Sequence, residues 1–318
     1  MNTIFKDMKM VRSTVGILGL ILLSHTGLWA GSNGVGTSGA QLLMMGAGAR
    51  ATAMGQAGSA IPQDADSIYW NTSGIASLEK RTVTLMHANF LEGFYYDYAA
   101  YAQPLGNIGS VGVGAQYLVS GKINETDSLG KSHGSIRFSD LAATFGYAKR
   151  FKMAEEQYVS LGLGAKWIRS RVIETANAGA VDLGILWQQN RKLSFSAGAQ
   201  NIGSKIKFQS ESNNLPFNLK FGTGYQFAVP LKAALDVNFP RDNEPNAAVG
   251  AEYTQHVTDK HRIFFRGGYN TTTANDISGV NSISFGMGFA WQGYRLDFAW
   301  VPYGRLGNTY RFGLNTSF

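Results

Sequence analysis

The chain ends on a strand-like stretch, Tyr310-Arg311-Phe312-Gly313-Leu314-Asn315-Thr316-Ser317-Phe318, in which apolar and polar residues alternate. Successive side chains of a β-strand point to opposite faces, so one face carries Tyr310, Phe312, Leu314 and Phe318. The other face carries Arg311, Gly313, Asn315 and Ser317. A chain end is usually frayed and polar in a soluble protein. A strand here is expected if it pairs with a neighbour and closes a membrane barrel without a free edge.

The same alternation recurs along the chain from residue 81. One face of each segment is aromatic or aliphatic, and the other is glycine, alanine, serine and isolated charges, as in membrane barrels. About fourteen segments fit this pattern: 81–90, 94–103, 108–119, 136–149, 157–169, 178–188, 191–201, 215–228, 231–239, 246–257, 261–270, 280–292, 293–301 and 308–318. Short and long connections alternate between them, which predicts an all-β, transmembrane antiparallel barrel over 81–318 with both ends in the periplasm.

A soluble β-sandwich is the alternative fold, because it also alternates apolar and polar residues. Its outer face would carry charge, yet only 15% of this chain is charged and the polar face is mostly glycine and alanine. Trp291 and Trp300 lie near strand ends, as in the aromatic girdles of membrane barrels. Mean hydropathy is −0.10, which is mild enough for a barrel. The composition therefore favours the barrel.

The amino terminus has the form of a secretory signal peptide. Lys6, Lys9 and Arg12 form a basic region, 15–23 is an apolar core too short to span a bilayer, and Trp29-Ala30-Gly31 offers a cleavage zone. We expect residues 1–30 to be removed on export. With a barrel to follow, this predicts an integral protein in the outer membrane of a Gram-negative-type bacterium.

Several functional classes are disfavoured by composition. The chain has no cysteine, which excludes a lipoprotein anchor, disulfides and cysteine chemistry. Its basic residues are scattered, so no nucleic-acid partner is expected. The histidines His87, His133, His256 and His261 share no face with a serine and a carboxylate, and no G-x-S-x-G occurs. His256 and His261 bracket a turn, but that is a weak metal signal. We therefore expect no catalysis, metal or cofactor.

Residues 31–80 do not follow the strand pattern. The run 46–60 is rich in glycine and alanine, and no strand precedes it and no GK[ST] follows, so a phosphate loop is disfavoured. Small side chains let backbone approach backbone, which predicts a hatch threaded into a narrow lumen. Candidate hatch or substrate-path residues are Arg50, Asp64, Asp66, Tyr69, Trp70, Asn71 and Gly74.

The run GARATAMGQAGSAIPQDADSIYWNTSGIASL at 48–78 resembles the amino-terminal signature of the PorV/PorQ proteins, within the FadL-like outer-membrane transporter group. Further matching pieces lie at 199–203, 215–216, 236–237, 240–243, 297–302 and 306–307. The resemblance implies a fourteen-stranded barrel with an amino-terminal hatch. In the FadL branch it implies uptake of hydrophobic molecules such as long-chain fatty acids. In the PorV branch it implies type IX secretion, in which the barrel receives cargo proteins. The chain departs from the family at Asn71-Thr72-Ser73, which lacks the usual proline and alanine.

Charged residues on the lumen-facing phase of the strands are Lys166, Asp182, Lys220, Asp236, Glu252, Arg266, Arg295, Asp297 and Arg311. They could line a substrate path or latch the hatch through Arg50, Asp64 and Asp66. The simpler interpretation, which we favour, is that they pair across strands, because a barrel interior is normally polar.

The sequence thus favours uptake of a hydrophobic small molecule through a hatch-gated lumen, with type IX secretion of cargo proteins as the alternative and a purely structural barrel as a third possibility. Outer-membrane lipid and the outer-membrane assembly machinery are the other expected partners. Tyr310, Phe312 and Phe318 are the candidate assembly signal, because the final strand ends on an aromatic residue.

Overall fold

The computed structural model describes residues 36–129, 131–208, 211–273 and 280–318, so the predicted signal peptide at 1–30 lies outside the described residues. Eighteen strands occur in this part of the chain: β1 Thr82–Asn89, β2 Tyr95–Pro104, β3 Ser110–Val119, β4 Ile123–Thr126, β5 Ser132–Ile136, β6 Ser139–Lys152, β7 Tyr158–Arg171, β8 Thr175–Gln188, β9 Leu193–Gly203, β10 Ile206–Phe208, β11 Glu211–Asn213, β12 Asn218–Gln226, β13 Leu231–Pro240, β14 Asn246–His256, β15 His261–Asn270, β16 Ile283–Trp291, β17 Tyr294–Pro302 and β18 Asn308–Ser317.

Within the described ranges, fourteen antiparallel strands close into a barrel, and β4–β5 and β10–β11 form two separate hairpins. Each barrel strand pairs with the next one along the chain, and β1 pairs with β18 from Thr82 opposite Ser317 to Asn89 opposite Tyr310. The closing strand is the alternating stretch at the chain end, so the barrel has no free edge. The predicted fold class is confirmed.

The outer face of the barrel is an apolar surface. It exposes large side chains from strands all around the wall, among them Phe145, Leu163, Leu183, Phe221, Phe285 and Phe312. Aromatic neighbours stack on this surface, as Phe285 does on Trp300 with ring centroids 6.0 Å apart. Such a band is what a barrel presents to lipid. None of the helices in the described residues is both long and apolar enough to cross a membrane.

The two rims of the barrel differ. One rim, the turn rim, carries the short connections after β2, β6, β8, β12, β14 and β16, together with the chain end, where the Phe318 N–H donates to Arg81 O at 3.0 Å. The other rim, the loop rim, carries both inserted hairpins and the connections after β13, β15 and β17. The β10–β11 hairpin bends inward, since Ile206 is fully buried and the Gly39 N–H donates to Asn214 O at 2.9 Å.

Residues 36–80, which we call the plug, fold inside the barrel as short helices: α1 Ala49–Ala53, α2 Ser67–Trp70 and 3₁₀ turns at Gln41–Met44 and Thr72–Ser77. Further 3₁₀ turns lie in the strand connections, at Leu91–Gly93, Gly106–Ile108, Thr271–Thr273 and Gly304–Leu306. On one side of the lumen Ile68 and Ile75 join a buried apolar cluster with Tyr96, Tyr98 and Ile168. The lumen core is thus built from plug and wall together.

On the opposite side of the lumen, the plug backbone contacts the wall directly. A Cβ at Gly250 of β14 would collide with the backbone of Met54, and a Cβ at Gly268 of β15 would collide with that of Gly55. Glycine is required at both wall positions because the two backbones approach too closely for any side chain. The small residues of the plug and the wall glycines therefore fit each other.

Candidate functional site

Plug and wall are joined by one buried chain of ion pairs. In order, its members are Arg50, Glu252, Arg266, Asp297, Arg295 and Asp64. The first and last come from the plug, and the other four come from β14, β15 and β17. All six are buried. The chain alternates cation and anion with three of each, so the lumen holds this charge with no net excess.

The geometry of the chain is tight. Arg50 donates from Nε to Glu252 Oε2 at 2.9 Å and from Nη2 to Oε1 at 3.2 Å, and Arg266 Nε also donates to Oε2 at 2.7 Å. Arg266 Nη1 and Arg295 Nε then donate to the two oxygens of Asp297, each at 2.7 Å. Each buried ion loses its hydration, and hydrogen bonds to oppositely charged groups are what offset that cost. This chain of ion pairs therefore fixes α1 against the wall.

Asp66 lies beside this chain but has no ion pair in the described residues, unlike Asp64. Burial, and then the negative charge of Asp64, raise the pKa of its carboxyl from 3.8 to about 7, although Arg50 and Arg295 oppose the shift. Asp66 belongs to the plug and not to a spanning strand. It is therefore a plug group whose charge state changes near neutral pH.

A second polar cluster marks a break in the wall between β8 and β9. The strand register shifts between Val181 and Leu183, and Asn201 adopts a positive φ of 60°. The Asn201 N–H donates to Asp182 Oδ1 at 2.8 Å instead of to a neighbouring carbonyl. Lys166 Nζ closes the cluster, 2.6 Å from Asp182 Oδ2 and 2.7 Å from Asn201 Oδ1. This is a β-bulge stabilised by lumenal side chains.

A third lumenal carboxylate binds the plug backbone. Asp236 of β13 accepts hydrogen bonds from the N–H groups of Gly58 and Ser59 at 3.2 and 3.1 Å, and from the Ser59 hydroxyl at 2.8 Å. Arg311 of β18 donates to the carbonyl of Gly46. Wall charges therefore hold the plug at both its main chain and its side chains.

The predicted hatch motif at 69–74 is a compact turn against β8. The Asn71 side-chain oxygen accepts from the N–H and hydroxyl of Ser73 at 3.2 and 2.7 Å, and its Nδ2 donates to Ile185 O at 3.1 Å. The Asn71 side chain thus caps the 3₁₀ turn Thr72–Ser77, in which this chain has threonine where the family pattern has proline. Gly74 is required there, because a Cβ would come within 2.8 Å of Pro62.

The two aromatic residues before Asn71 are also fixed by hydrogen bonds. Trp70 Nε1 donates to Ala47 O at 2.9 Å, and the Tyr69 hydroxyl donates to Leu43 O at 3.2 Å. Their rings meet edge to face with centroids 4.8 Å apart. The motif thus ties the two halves of the plug together.

A cavity of about 370 Å³ lies between the plug and the loop rim. Trp70, Lys220 and Gly55 are among the residues at its base, while Asp242 and Tyr303 lie near its mouth. We call it the vestibule. A second cavity of about 10 Å³, at the bulge, has room for about one water molecule.

The vestibule wall contains residues that the sequence analysis missed. A row of carboxamides crosses four adjacent strands: Gln200, Asn218, Asn238 and Asn246. Asn218 Nδ2 donates to Asn238 Oδ1 at 3.2 Å, and Asn238 Nδ2 donates to Asn246 Oδ1 at 3.0 Å. The available signal was asparagine on the lumenal phase at strand ends next to long connections, which a search for charges alone does not find.

The remaining predicted residues do not form a reactive centre. His87 pairs with Asp97 on the outer surface, and His133 pairs with Asp127 in the β4–β5 hairpin. Across 36–129, 131–208, 211–273 and 280–318, histidine, aspartate and glutamate form no group of three or more that could hold a metal. Tyr310, Phe312 and Phe318 are exposed on the outer face, and their role in assembly stays a prediction.

Solved structures with the same fold are outer-membrane transport barrels. The Ralstonia pickettii toluene transporter TbuX is 12% identical, over 86% of this chain and 98% of that one, with a TM-score of 0.54. The Pseudomonas putida toluene transporter TodX is 9% identical, over 86% and 96%, with a TM-score of 0.56. A Pseudomonas aeruginosa FadL homologue is 11% identical, over 86% and 98%, with a TM-score of 0.54. At these identities the likeness establishes the fold.

A search of the curated proteins gave no significant match. The family described as "Type IX secretion system protein PorV" matches residues 30–241, which is about two thirds of the chain. The predicted resemblance to PorV and to FadL-like barrels is thus confirmed, and fold and family together indicate an outer-membrane β-barrel. The relatives are transport and secretion proteins and not enzymes. This chain belongs to the PorV family of type IX secretion system proteins.

Proposed function

We propose that this protein is a component of type IX secretion that receives cargo proteins at the loop rim of a barrel kept closed by its plug. The sequence alone favoured uptake of hydrophobic molecules. Family membership and the ion-pair chain reverse that order. The ion-pair chain from Arg50 to Asp64 carries the proposal. Moving the plug would break its two links to the wall, Arg50–Glu252 and Arg295–Asp64, and would separate buried charges from their partners.

In this proposal residues 31–80 act as a permanent hatch and not as a gate. The loop rim faces the cell exterior, and the apolar outer face contacts outer-membrane lipid. Cargo then engages the inserted hairpins and the connections of the loop rim, whose inner surface is polar. Among the lumenal charges, Asp236, Glu252 and Arg295 hold the plug, and Arg266 and Asp297 connect Glu252 to Arg295. Lys166 and Asp182 stabilise the bulge, and none of these charges contacts cargo.

The second candidate is uptake of a hydrophobic molecule such as a long-chain fatty acid, with lateral release through the wall. The observation that favours it is the β8–β9 bulge, where the strand ladder is interrupted beside the plug residue Asn71. The cavity there admits about one water. Passage of a lipid would thus require both bulge and plug to move.

A removable lock separates the two candidates. A Cβ at Gly313 would lie 3.2 Å from the Ala49 Cβ, close to disulfide geometry, and the chain has no cysteine of its own. The variant Ala49→Cys with Gly313→Cys, oxidised, should fix α1 to β18. We expect the locked barrel to restore surface display of secreted proteins to a deletion strain as well as the natural protein does.

Ala49→Cys alone, oxidised in the same way, is the matched control. The proposal fails if the deletion strain still displays its surface proteins but loses uptake of a labelled long-chain fatty acid. It also fails if the lock blocks display and a reductant restores it, because the plug would then have to move.

A further inference from the structure

Lys220 differs from every other lumenal cation described above. It lies on β12 and is buried, yet within the described ranges it has neither an ion pair nor a hydrogen bond. Its contact is the Trp70 ring, whose centroid is 4.9 Å from Nζ. By contrast, Lys166 and Arg266 each have a carboxylate oxygen within 2.7 Å. A buried ammonium with no anion is costly, so this position favours a negatively charged partner.

The two carboxylates that interact electrostatically with Lys220, Asp236 and Asp182, already have other partners. Asp236 binds the plug backbone at Gly58 and Ser59, and Asp182 pairs with Lys166. Both attract Lys220 at longer range, while Lys166 repels it. Lys220 lines the vestibule at its base. An anion entering from the loop rim could therefore reach the ammonium group without displacing a lumenal ion pair.

A second unpaired polar group lies two positions away on the same strand and the same face. Asn218 is buried, and its Oδ1 has no hydrogen-bond partner among the described residues, although its Nδ2 donates to Asn238. Alternate residues of a strand are about 6.6 Å apart. A carbonyl oxygen of this kind accepts a hydrogen bond from a hydroxyl or an amide. The base of the vestibule thus has one unpaired cation and, at a fixed spacing from it, one buried acceptor without a partner among the described residues.

The vestibule has an apolar side, to which Leu43, Met44 and Ile283 contribute, and a polar side. The carboxamides of Gln200, Asn238, Asn246 and Asn270 line it, and its volume of about 370 Å³ is at the lower end of small-molecule sites. Carboxamides both donate and accept hydrogen bonds, which suits hydroxyl groups and does not suit an alkyl chain.

We propose that the vestibule is a binding site for a small hydroxylated carboxylate, of the size of a hexuronate. Its carboxylate contacts Lys220 Nζ, and one of its hydroxyls donates to Asn218 Oδ1. The remaining hydroxyls contact the carboxamide row. This site does not depend on the function proposed above, because it uses the vestibule and neither the hatch nor cargo.

Calorimetry on the purified full-length barrel in detergent tests each part of the site. Glucuronate is the probe, glucose has a similar ring without the charge, and hexanoate has the charge without the hydroxyls. We expect glucuronate to bind at least about tenfold more tightly than either, because charged and neutral hydrogen bonds both contribute. Lys220→Met should weaken glucuronate binding by about tenfold or more. Lys152→Met, at the exposed end of β6, should have no effect.

Binding of glucose or hexanoate as tight as that of glucuronate overturns the proposal, as does an unchanged affinity in Lys220→Met or no binding of glucuronate at all. If Lys220→Met does not form a heat-modifiable barrel, Asn218→Asp replaces it. Its carboxylate would repel the ligand and should also weaken binding, whereas unchanged affinity would contradict the site.

Discussion

Arg50 and Glu252 are 202 positions apart in the chain, yet they form a two-point ion pair in the middle of the barrel. Arg50 belongs to the plug and Glu252 to β14, so the pair joins the two parts of the fold. Glu252 also accepts a hydrogen bond from Arg266, so one carboxylate pairs with two buried guanidinium groups. Removing its charge would leave both of them without full compensation.

We therefore expect Glu252→Gln to lower the free energy of unfolding by about 3–5 kcal/mol, the usual effect of breaking a buried pair. Urea titration of the folded, heat-modifiable form in detergent measures this. The control is Glu156→Gln, which removes the exposed pair with Arg191 and should cost about 0–1 kcal/mol. Equal losses in the two variants would show that the buried chain does not hold the plug.

The contact between plug and wall backbones gives a sharper test, because two adjacent glycines on β15 face opposite ways. A Cβ at Gly268 collides with the backbone of Gly55, whereas a Cβ at Gly267 meets the Phe285 ring at 3.7 Å, an ordinary contact. Gly268→Ala should destabilise the barrel by about 1–3 kcal/mol through overpacking. It should also raise conductance in planar bilayers, because the plug is pushed from the wall.

Gly267→Ala, with the same change in composition, should alter stability by no more than about 0.5 kcal/mol and leave conductance unchanged. If Gly268→Ala has the same stability and the same conductance as Gly267→Ala, the backbone of Gly55 does not contact the wall at Gly268.

The barrel could be predicted from the sequence because its signal is local and repeated. Alternation at Tyr310–Phe318 fixes which side chains face lipid, and the same period repeated along the chain fixes the number of strands. The lumenal charges follow from the same phase. Their partners do not, because Arg50 and Glu252 meet through the inward path of the plug, which has no periodic pattern.

The vestibule was missed for a related reason. Asn218 and Asn238 are ordinary polar residues at strand ends, and their row exists only because β12 and β13 pair in one register. Lys220 was identified as a lumenal charge, but its lack of a carboxylate partner can be seen only in three dimensions. Residues whose role depends on the register between strands are the ones that sequence reasoning could not find.

Asp66 predicts how stability changes with pH. Its pKa is raised from 3.8 to about 7 in the folded protein, so the folded state binds more protons than the unfolded state between these values. Stability should therefore fall as pH rises from about 4 through about 7. Asp66→Asn, which stays neutral, should be more stable than the natural protein at pH 8 and closer to it at pH 5.

Urea titrations at the two pH values measure this difference. Asp64→Asn is the contrasting variant, because Asp64 is paired with Arg295 and its loss should destabilise the barrel at both. If Asp66→Asn is less stable than the natural protein at pH 8, the Asp66 carboxylate is stabilising and the predicted sign is wrong.

The final strand tests which face of the barrel wall points to lipid. Phe312 is exposed on the apolar face and packs on Phe298 with ring centroids 5.4 Å apart. Phe312→Asp would place a carboxylate in hydrocarbon, at a depth-dependent cost of up to about 3 kcal/mol, so the amount of assembled barrel in the membrane should fall sharply. Asn308→Asp, at the exposed start of β18, keeps the acceptor that Trp300 Nε1 uses and should assemble normally. Quantifying the heat-modifiable band in membrane fractions compares the two variants. Equal assembly would mean that Phe312 does not face lipid, and the inward and outward faces of β18 would have to be exchanged.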